Sequence, residues 1–114
     1  MPAQPSGGHP CADPTWQPLR TTPNHPEYPS AHACHSTAVT VVLQRVLGNH
    51  SGLSLDSLVT GETRSYQRLR DVVREVNDAR VWAGFHLRNS DEEGAALGRK
   101  VGHFVVQSLF QPQD

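Results

Sequence analysis

The distribution of proline divides the chain into two parts. Eight of the nine prolines lie before residue 30, and only Pro112 lies beyond it. Proline fixes φ and lacks a backbone N–H donor, so a segment this rich in proline cannot form a regular helix or a central strand. We therefore predict an extended Pro-rich arm over residues 1–29. Its apolar contact points are Trp16, Leu19 and Tyr28.

From residue 30 onward, apolar residues recur at the spacing of an α-helix. The first predicted helix spans about residues 31–47, with Ser30 as its N-cap and Gly48 just beyond its end. A second helix spans about residues 65–83 and is ended by Gly84. Residues 48–64 are rich in Gly, Ser and Thr, which predicts a loop with a short turn of helix around 55–59.

The third predicted helix covers about residues 91–110. Ser90 and Glu93 match a capping box at its start. The predicted core stripe of this helix is Leu97, Val101, Phe104, Val105 and Leu109. Residues 30–114 are thus expected to form the C-terminal helical part of an all-α domain, a partial helical bundle of about three helices.

Composition excludes several classes of partner. Ten Lys and Arg against eleven Asp and Glu leave a net charge of −1, which argues against a dedicated nucleic-acid binder. No apolar run approaches the roughly eighteen residues of a membrane span. The first residues show no signal peptide, so a soluble, cytoplasmic protein is expected. Cys11 and Cys34 are interpreted as reduced thiols.

Titratable side chains interrupt the apolar stripes. His32 and His35 lie on the stripe of the first helix, and Arg80 lies on that of the second. A buried guanidinium is unfavourable unless an anion or a full set of acceptors compensates it. Taken one at a time, these residues fit a snorkelling arginine and surface-proximal histidines.

Taken together, the same residues indicate a site for an anion. A helix that begins after Ser30 directs the free N–H groups of its first turn, including that of Ala31, toward one point. Arg80 offers a planar set of donors, and His86 follows in the next loop. Several donors and one neutral imidazole nitrogen suit a tetrahedral oxyanion.

Two blocks of sequence resemble the vanadium haloperoxidase and type 2 phosphatidic acid phosphatase superfamily. Asn24–Ala33, which reads NHPEYPSAHA, resembles the Pro-Ser-Gly-His block, and Ala79–His86 resembles the later block of Arg, five residues, His. The two blocks come in family order, separated by 47 residues between His32 and Arg80. The soluble haloperoxidase-like branch is the closest in character.

The resemblance implies a role for each matched residue. His86 would be the apical ligand of vanadate, or the nucleophile that forms a phosphohistidine in a phosphatase. His32 would be the acid/base group. Ser30, the N–H of Ala31 and the guanidinium of Arg80 would hold the equatorial oxygens. The implied cofactor is vanadate for a haloperoxidase and none for a phosphatase.

Three departures from the family pattern qualify this assignment. The first family block, Lys, six residues, Arg-Pro, is absent, and the only lysine is Lys100. Ala31 replaces the usual glycine. The acid often found four residues after the nucleophilic histidine is replaced by Ser90, with Asp91 one residue late, so the pattern leaves open whether a carboxylate orients His86.

These features leave several functions open. The chain could be a haloperoxidase that acts on a small molecule, an acid phosphatase, or a non-catalytic remnant completed by a second chain or a homo-oligomer. A zinc site built from His32, Cys34, His35 and Cys11 is the weakest alternative. The remaining histidines are interpreted as ordinary surface residues: His9, His25, His50 and His103.

Overall fold

The computed structural model describes residues 13–49, 52–109 and 111–113. The first part of the predicted arm, together with His9, Cys11 and His50, lies outside these residues. The elements run in the order α1 (Ala31–Leu47), β1 (Leu53–Asp56), β2 (Thr63–Tyr66), α2 (Leu69–Trp82) and α3 (Arg88–Ser108). The predicted three-helix, predominantly helical fold is confirmed.

The segment between the first two helices is a β-hairpin. β1 and β2 pair antiparallel, with Leu53 opposite Tyr66 and Asp56 opposite Thr63. The Thr63 hydroxyl donates to the Asp56 carboxylate at 2.7 Å. The predicted loop with a helical turn at 55–59 was therefore wrong, because cross-strand pairing decides the backbone of a short segment more than its local composition does.

Helices α1 and α3 pack through small residues. Gly94, Gly98 and Gly102 lie on the buried face of α3. A Cβ on Gly94 would overlap the Ser30 carbonyl oxygen, and one on Gly98 would overlap that of Cys34. Because glycine has no side chain, the backbones of the two helices approach closely along this face.

The predicted core stripe of α3 therefore faces outward. Leu97, Val101 and Phe104 are 44%, 42% and 68% exposed, whereas Ala95 is buried. The helical periodicity identified an apolar face of α3 correctly. It could not show that α1 covers a different face of α3, the one that carries the glycines. On α1, Val39 and Val46 are also exposed. This leaves broad apolar surfaces on the outside of the helix pair.

The arm is attached to the end of α2. The Trp16 ring packs against Gly84, which has φ +78°. A Cβ atom added to Gly84 would lie 2.7 Å from a carbon atom of that ring. The Leu19 N–H donates to the Ala83 carbonyl at 3.2 Å. Residues 13–29 contain neither helix nor strand. The arm thus crosses the C-terminal end of α2 before it enters α1.

The start of α3 differs from its prediction. The helix begins at Arg88, after Leu87 as N-cap, so Ser90 is not a capping residue and the predicted capping box was wrong. Instead the Ser30 N–H donates to the Ser90 carbonyl at 3.0 Å, which joins the first turns of α1 and α3. In the part of the chain that the structure describes, no helix is long and apolar enough to cross a membrane.

Candidate functional site

Helix α1 begins at the candidate site. Ser30 is extended, with φ −66° and ψ 115°, and its hydroxyl oxygen accepts the Ala33 N–H at 3.3 Å. The predicted N-cap is therefore confirmed. Ser30 is fully buried, whereas Ala31 and His32 are exposed. The N–H groups of this first turn carry the positive end of the helix dipole.

A single guanidinium nitrogen connects two imidazole rings. Arg80 Nη2 lies 3.3 Å from His25 Nε2 and 3.4 Å from His86 Nε2. The rings of His25 and His86 are nearly parallel, at 12°, with centroids 5.6 Å apart. Guanidinium nitrogens only donate, so both Nε2 atoms act as acceptors.

The other nitrogen of His86 is held by the arm. His86 Nδ1 lies 2.6 Å from the backbone carbonyl oxygen of Glu27. A carbonyl only accepts, so Nδ1 carries the proton and Nε2 keeps its lone pair. The side chain of His86 is completely buried. This is the tautomer and restraint that a ligating or nucleophilic Nε2 needs.

The Glu27 side chain reinforces this arrangement. Its Oε1 accepts the Leu87 N–H at 2.8 Å and also the Ser90 hydroxyl, and it lies 3.8 Å from His86 Nδ1. Glu27 therefore caps the N-terminus of α3 and fixes the loop that carries His86. Orientation of the imidazole comes from Glu27, in the arm, and not from an acid four residues downstream.

His32 approaches from α1. Its ring centroid is 5.7 Å from that of His25. Partial burial lowers the pKa of His32 below its usual 6.5, and the positive charge of Arg80 lowers it further, as do His25, His86 and His35. His32 is thus the exposed imidazole of the cluster, beside the opening of the site.

Arg80 is itself partly buried. Its guanidinium carbon lies 4.6 Å from the centre of the Phe85 ring, a cation–π arrangement. Burial lowers the pKa of Arg80, and the negative charge of Asp91 opposes that shift. The partly buried Arg80 is thus compensated by one aromatic contact, with Phe85, and by the electrostatic effect of Asp91.

The structure brings the predicted site residues to one end of the helix bundle. Ser30, Ala31 and His32 come from the start of α1, Arg80 from the last turn of α2, and His86 from the α2–α3 loop. His35 is exposed one turn farther along α1. Among residues 13–49, 52–109 and 111–113, no group of three or more His, Cys, Asp or Glu could hold a metal ion.

Two residues of the cluster were missed by the sequence analysis. His25 is not an ordinary surface histidine, since Arg80 contacts it, and Glu27 holds both His86 and the start of α3. Both lie within the block Asn24–Ala33, so the motif itself was the available signal. Pattern rules for helices do not apply to the arm and could not show which of its side chains turn inward.

A family model described as the VCPO second helical-bundle domain matches residues 3–113. The chain belongs to this family. A solved structure, described as that of the first bacterial vanadium-dependent iodoperoxidase, is also similar, with 35% identity and a TM-score of 0.80. The similarity covers 87% of this chain and 25% of that one. The vanadium haloperoxidase-like relationship inferred from two motif blocks is thereby confirmed. No protein of curated function matches the sequence.

This VCPO-family domain therefore corresponds to about a quarter of the iodoperoxidase chain that it resembles. Among the described residues of the cluster, Arg80 is the permanently cationic side chain that contacts the imidazoles. Lys100, the only lysine, is exposed on α3. The donor set suits one face of a tetrahedral oxyanion: a guanidinium, a helix N-terminus, and an imidazole whose Nε2 is unprotonated.

Proposed function

We propose that this domain binds a tetrahedral oxyanion, vanadate or phosphate, as the C-terminal part of a vanadium haloperoxidase-type active site. The observation that carries the proposal is the convergence of Arg80 Nη2 on His86 Nε2, with the opposite ring nitrogen of His86 committed to Glu27. That geometry leaves one unprotonated imidazole nitrogen beside a fixed positive charge.

Each residue has a defined task in this proposal. His86 Nε2 would be the nitrogen donor to the oxyanion, and the Nη groups of Arg80 would donate hydrogen bonds to its oxygens. In this proposal the N–H of Ala31 and the hydroxyl of Ser30, which is fully buried, complete the set. His32, exposed at the opening, donates or accepts a proton.

Vanadate, when bound, would supply the Lewis acidity that activates peroxide for halide oxidation. The residues present fit one face of such a group, because the neutral imidazole of His86 offers a nitrogen donor and the guanidinium of Arg80 offers hydrogen bonds and positive charge. The cations of the Lys, six residues, Arg-Pro block are missing from this sequence. Removal of one oxyanion donor typically costs about 10²–10³ in rate, so we expect weak binding and little turnover from this chain alone.

A different chain is the proposed source of the missing cations, and either that chain or another copy of this one would complete the helical bundle. The exposed apolar faces support this idea, since Val39 on α1 and Val101 and Phe104 on α3 lack cover. Gel filtration and circular dichroism test it directly. A monomer with a sharp, cooperative melt would count against the need for a partner, whereas self-association or a broad melt would support it.

Calorimetric titration of the purified chain with vanadate and with phosphate tests the function. We expect saturable binding that His86→Gln weakens on the order of tenfold or more, because the imidazole nitrogen donor is lost. His103→Gln, an exposed histidine of α3, is the matched control and should bind as the wild type does. Absence of binding by the wild type would refute the proposal.

Two activity assays then separate the possible reactions. Iodide or bromide oxidation with vanadate and hydrogen peroxide would assign the domain to the haloperoxidases. Phosphate release from an aryl phosphate without vanadate would favour the acid phosphatase alternative, in which His86 Nε2 attacks phosphorus. Fast halide oxidation by this chain alone would contradict the view that its site is incomplete.

A further inference from the structure

One imidazole of the cluster has no task in the proposed function. His25 comes from the arm and is half-buried, and its Nε2 lies 3.3 Å from Arg80 Nη2. Its Nδ1 lies 3.2 Å from the backbone carbonyl oxygen of Pro26. A carbonyl only accepts, so Nδ1 carries the proton and Nε2 presents a lone pair to the guanidinium. His25 is therefore a hydrogen-bond acceptor for Arg80.

His86 contacts the guanidinium in the same way. Its Nδ1 is bound to the arm carbonyl of Glu27, and its Nε2 lies 3.4 Å from the same Nη2 atom of Arg80. Its ring is also nearly parallel to that of His25. An Nη group carries two N–H bonds, so one nitrogen of Arg80 can donate to both imidazoles, with one hydrogen for each. Two neutral rings thus share one cationic group.

Oxyanion binding would make the two imidazoles different. A neutral imidazole has one acceptor nitrogen, so His86 Nε2 cannot accept from Arg80 and also bind the central atom of the ligand. Arg80 must therefore give up its contact with His86 when the ligand arrives, and the released N–H becomes available to a ligand oxygen. The contact with His25 requires no such change, because His25 is not the nitrogen donor in the proposed function.

We propose that His25 is a positioning residue, which keeps one N–H of Arg80 Nη2 while the oxyanion takes the place of the other at His86. The inference rests on the proposed oxyanion function. An arginine side chain has many rotamers, so a contact that restrains it before binding lowers the entropic cost of holding a ligand. The arm thereby orients both partners of the ligand, His86 through Glu27 and Arg80 through His25.

Two substitutions separate the acceptor role of His25 from the packing of its ring. His25→Phe keeps a planar ring that can stack on His86 but removes the acceptor. We expect it to lower phosphate and vanadate affinity about tenfold, the lower end of the loss typical when the partner that orients a ligating group is removed. His25→Gln lacks the ring but offers an amide oxygen near the position of Nε2, so it should restore most of the affinity.

Calorimetry measures both variants against a matched control. A role of His25 in packing alone predicts the opposite order, with His25→Phe binding well and His25→Gln binding poorly. His103→Phe makes the same replacement at an exposed histidine of α3 and should bind as the wild type does. His25→Leu, which also lacks an acceptor, replaces His25→Phe should that variant not fold.

Nuclear magnetic resonance of the ligand-free protein gives a readout that a packing role would not move. At about pH 8, where an imidazole is ordinarily neutral, the ring ¹⁵N shifts of His25 should report the Nδ1–H tautomer. Exchange between the Nη signals of Arg80, which are assigned by their loss in Arg80→Lys, measures rotation of the guanidinium. Rotation should be faster in His25→Phe than in the wild type or in His25→Gln.

Weaker binding by His25→Phe, recovery in His25→Gln and faster guanidinium rotation in His25→Phe would support the inference. Unchanged binding by His25→Phe, equal losses in both variants, or an Nε2–H tautomer in the wild type would overturn it. If the wild type binds neither phosphate nor vanadate, the proposed function fails. The tautomer and the guanidinium rotation then decide by themselves whether His25 holds Arg80.

Discussion

The imidazole of His86 donates its Nδ1 proton to the backbone carbonyl of Glu27 at 2.6 Å. A backbone carbonyl does not gain or lose a proton in this pH range. The tautomer of His86 is therefore set by the position of the arm and not by the protonation state of a carboxylate. The Pro-rich arm is therefore part of the candidate site, and its fold on α2 and α3 prepares His86 Nε2 for a ligand.

The Glu27 side chain should contribute to stability as well as to the site. In Glu27→Ala, the Leu87 N–H and the Ser90 hydroxyl lose their common acceptor. Loss of a helix cap of this kind costs about 1–2 kcal/mol in the free energy of unfolding. Urea unfolding followed by circular dichroism measures it. Glu93→Ala, an exposed acid on α3, is the control, and an equal loss there would refute the capping role.

Arg80→Lys should separate charge from geometry. Lysine keeps the positive charge but cannot offer several donors in one plane to both an anion and its protein neighbours. We expect phosphate affinity to fall about tenfold to a hundredfold, the cost of one to two charge-assisted hydrogen bonds. Calorimetry measures the change. Arg64→Lys, in an exposed pair with Glu75, is the control and should bind phosphate normally.

His32 should make oxyanion binding depend on pH. In the free protein its pKa lies below 6.5, so the ring is neutral near neutral pH. A bound anion favours the protonated ring and raises that pKa, so binding takes up a proton and affinity increases as the pH falls through this range. Phosphate affinity measured from about pH 5 to 8 should increase toward low pH in the wild type, and His32→Gln should lack the part of this increase that comes from protonation of His32. His103→Gln should keep it; identical profiles for wild type and His32→Gln would contradict the prediction.

Gly98→Ala should disrupt the contact between α1 and α3. Alanine normally favours a helix over glycine by about 1 kcal/mol, but here the new Cβ would overlap the Cys34 carbonyl oxygen, a backbone atom that cannot rotate away. We expect a net loss of roughly 1–3 kcal/mol in unfolding free energy, as for other overpacked contacts. Arg99→Ala, the exposed neighbour, should change stability by only about 0.5 kcal/mol or less. Any stabilisation by Gly98→Ala would show that the helices are not in close backbone contact.

Local sequence rules located the parts of the site but not all of their partners. Ser30 was predictable as a cap, because its side-chain oxygen meets a nearby N–H in any helix that begins there. His25 and Glu27 were not predictable from periodicity, since they lie in an irregular arm. The sequence also did not single out Asp91 of α3 as a buried acid whose charge acts on Arg80.

The sequence by itself determined the three helices, the arm, and the order of Ser30, His32, Arg80 and His86 along the chain. These features follow from local properties: proline geometry, helix periodicity, capping, and motif spacing. Only the tertiary structure decided that α3 buries its glycines and exposes Leu97, Val101 and Phe104. Periodicity reports how apolar a face is, but the distance between two helix backbones depends on the side chains of both, and no single segment encodes that distance.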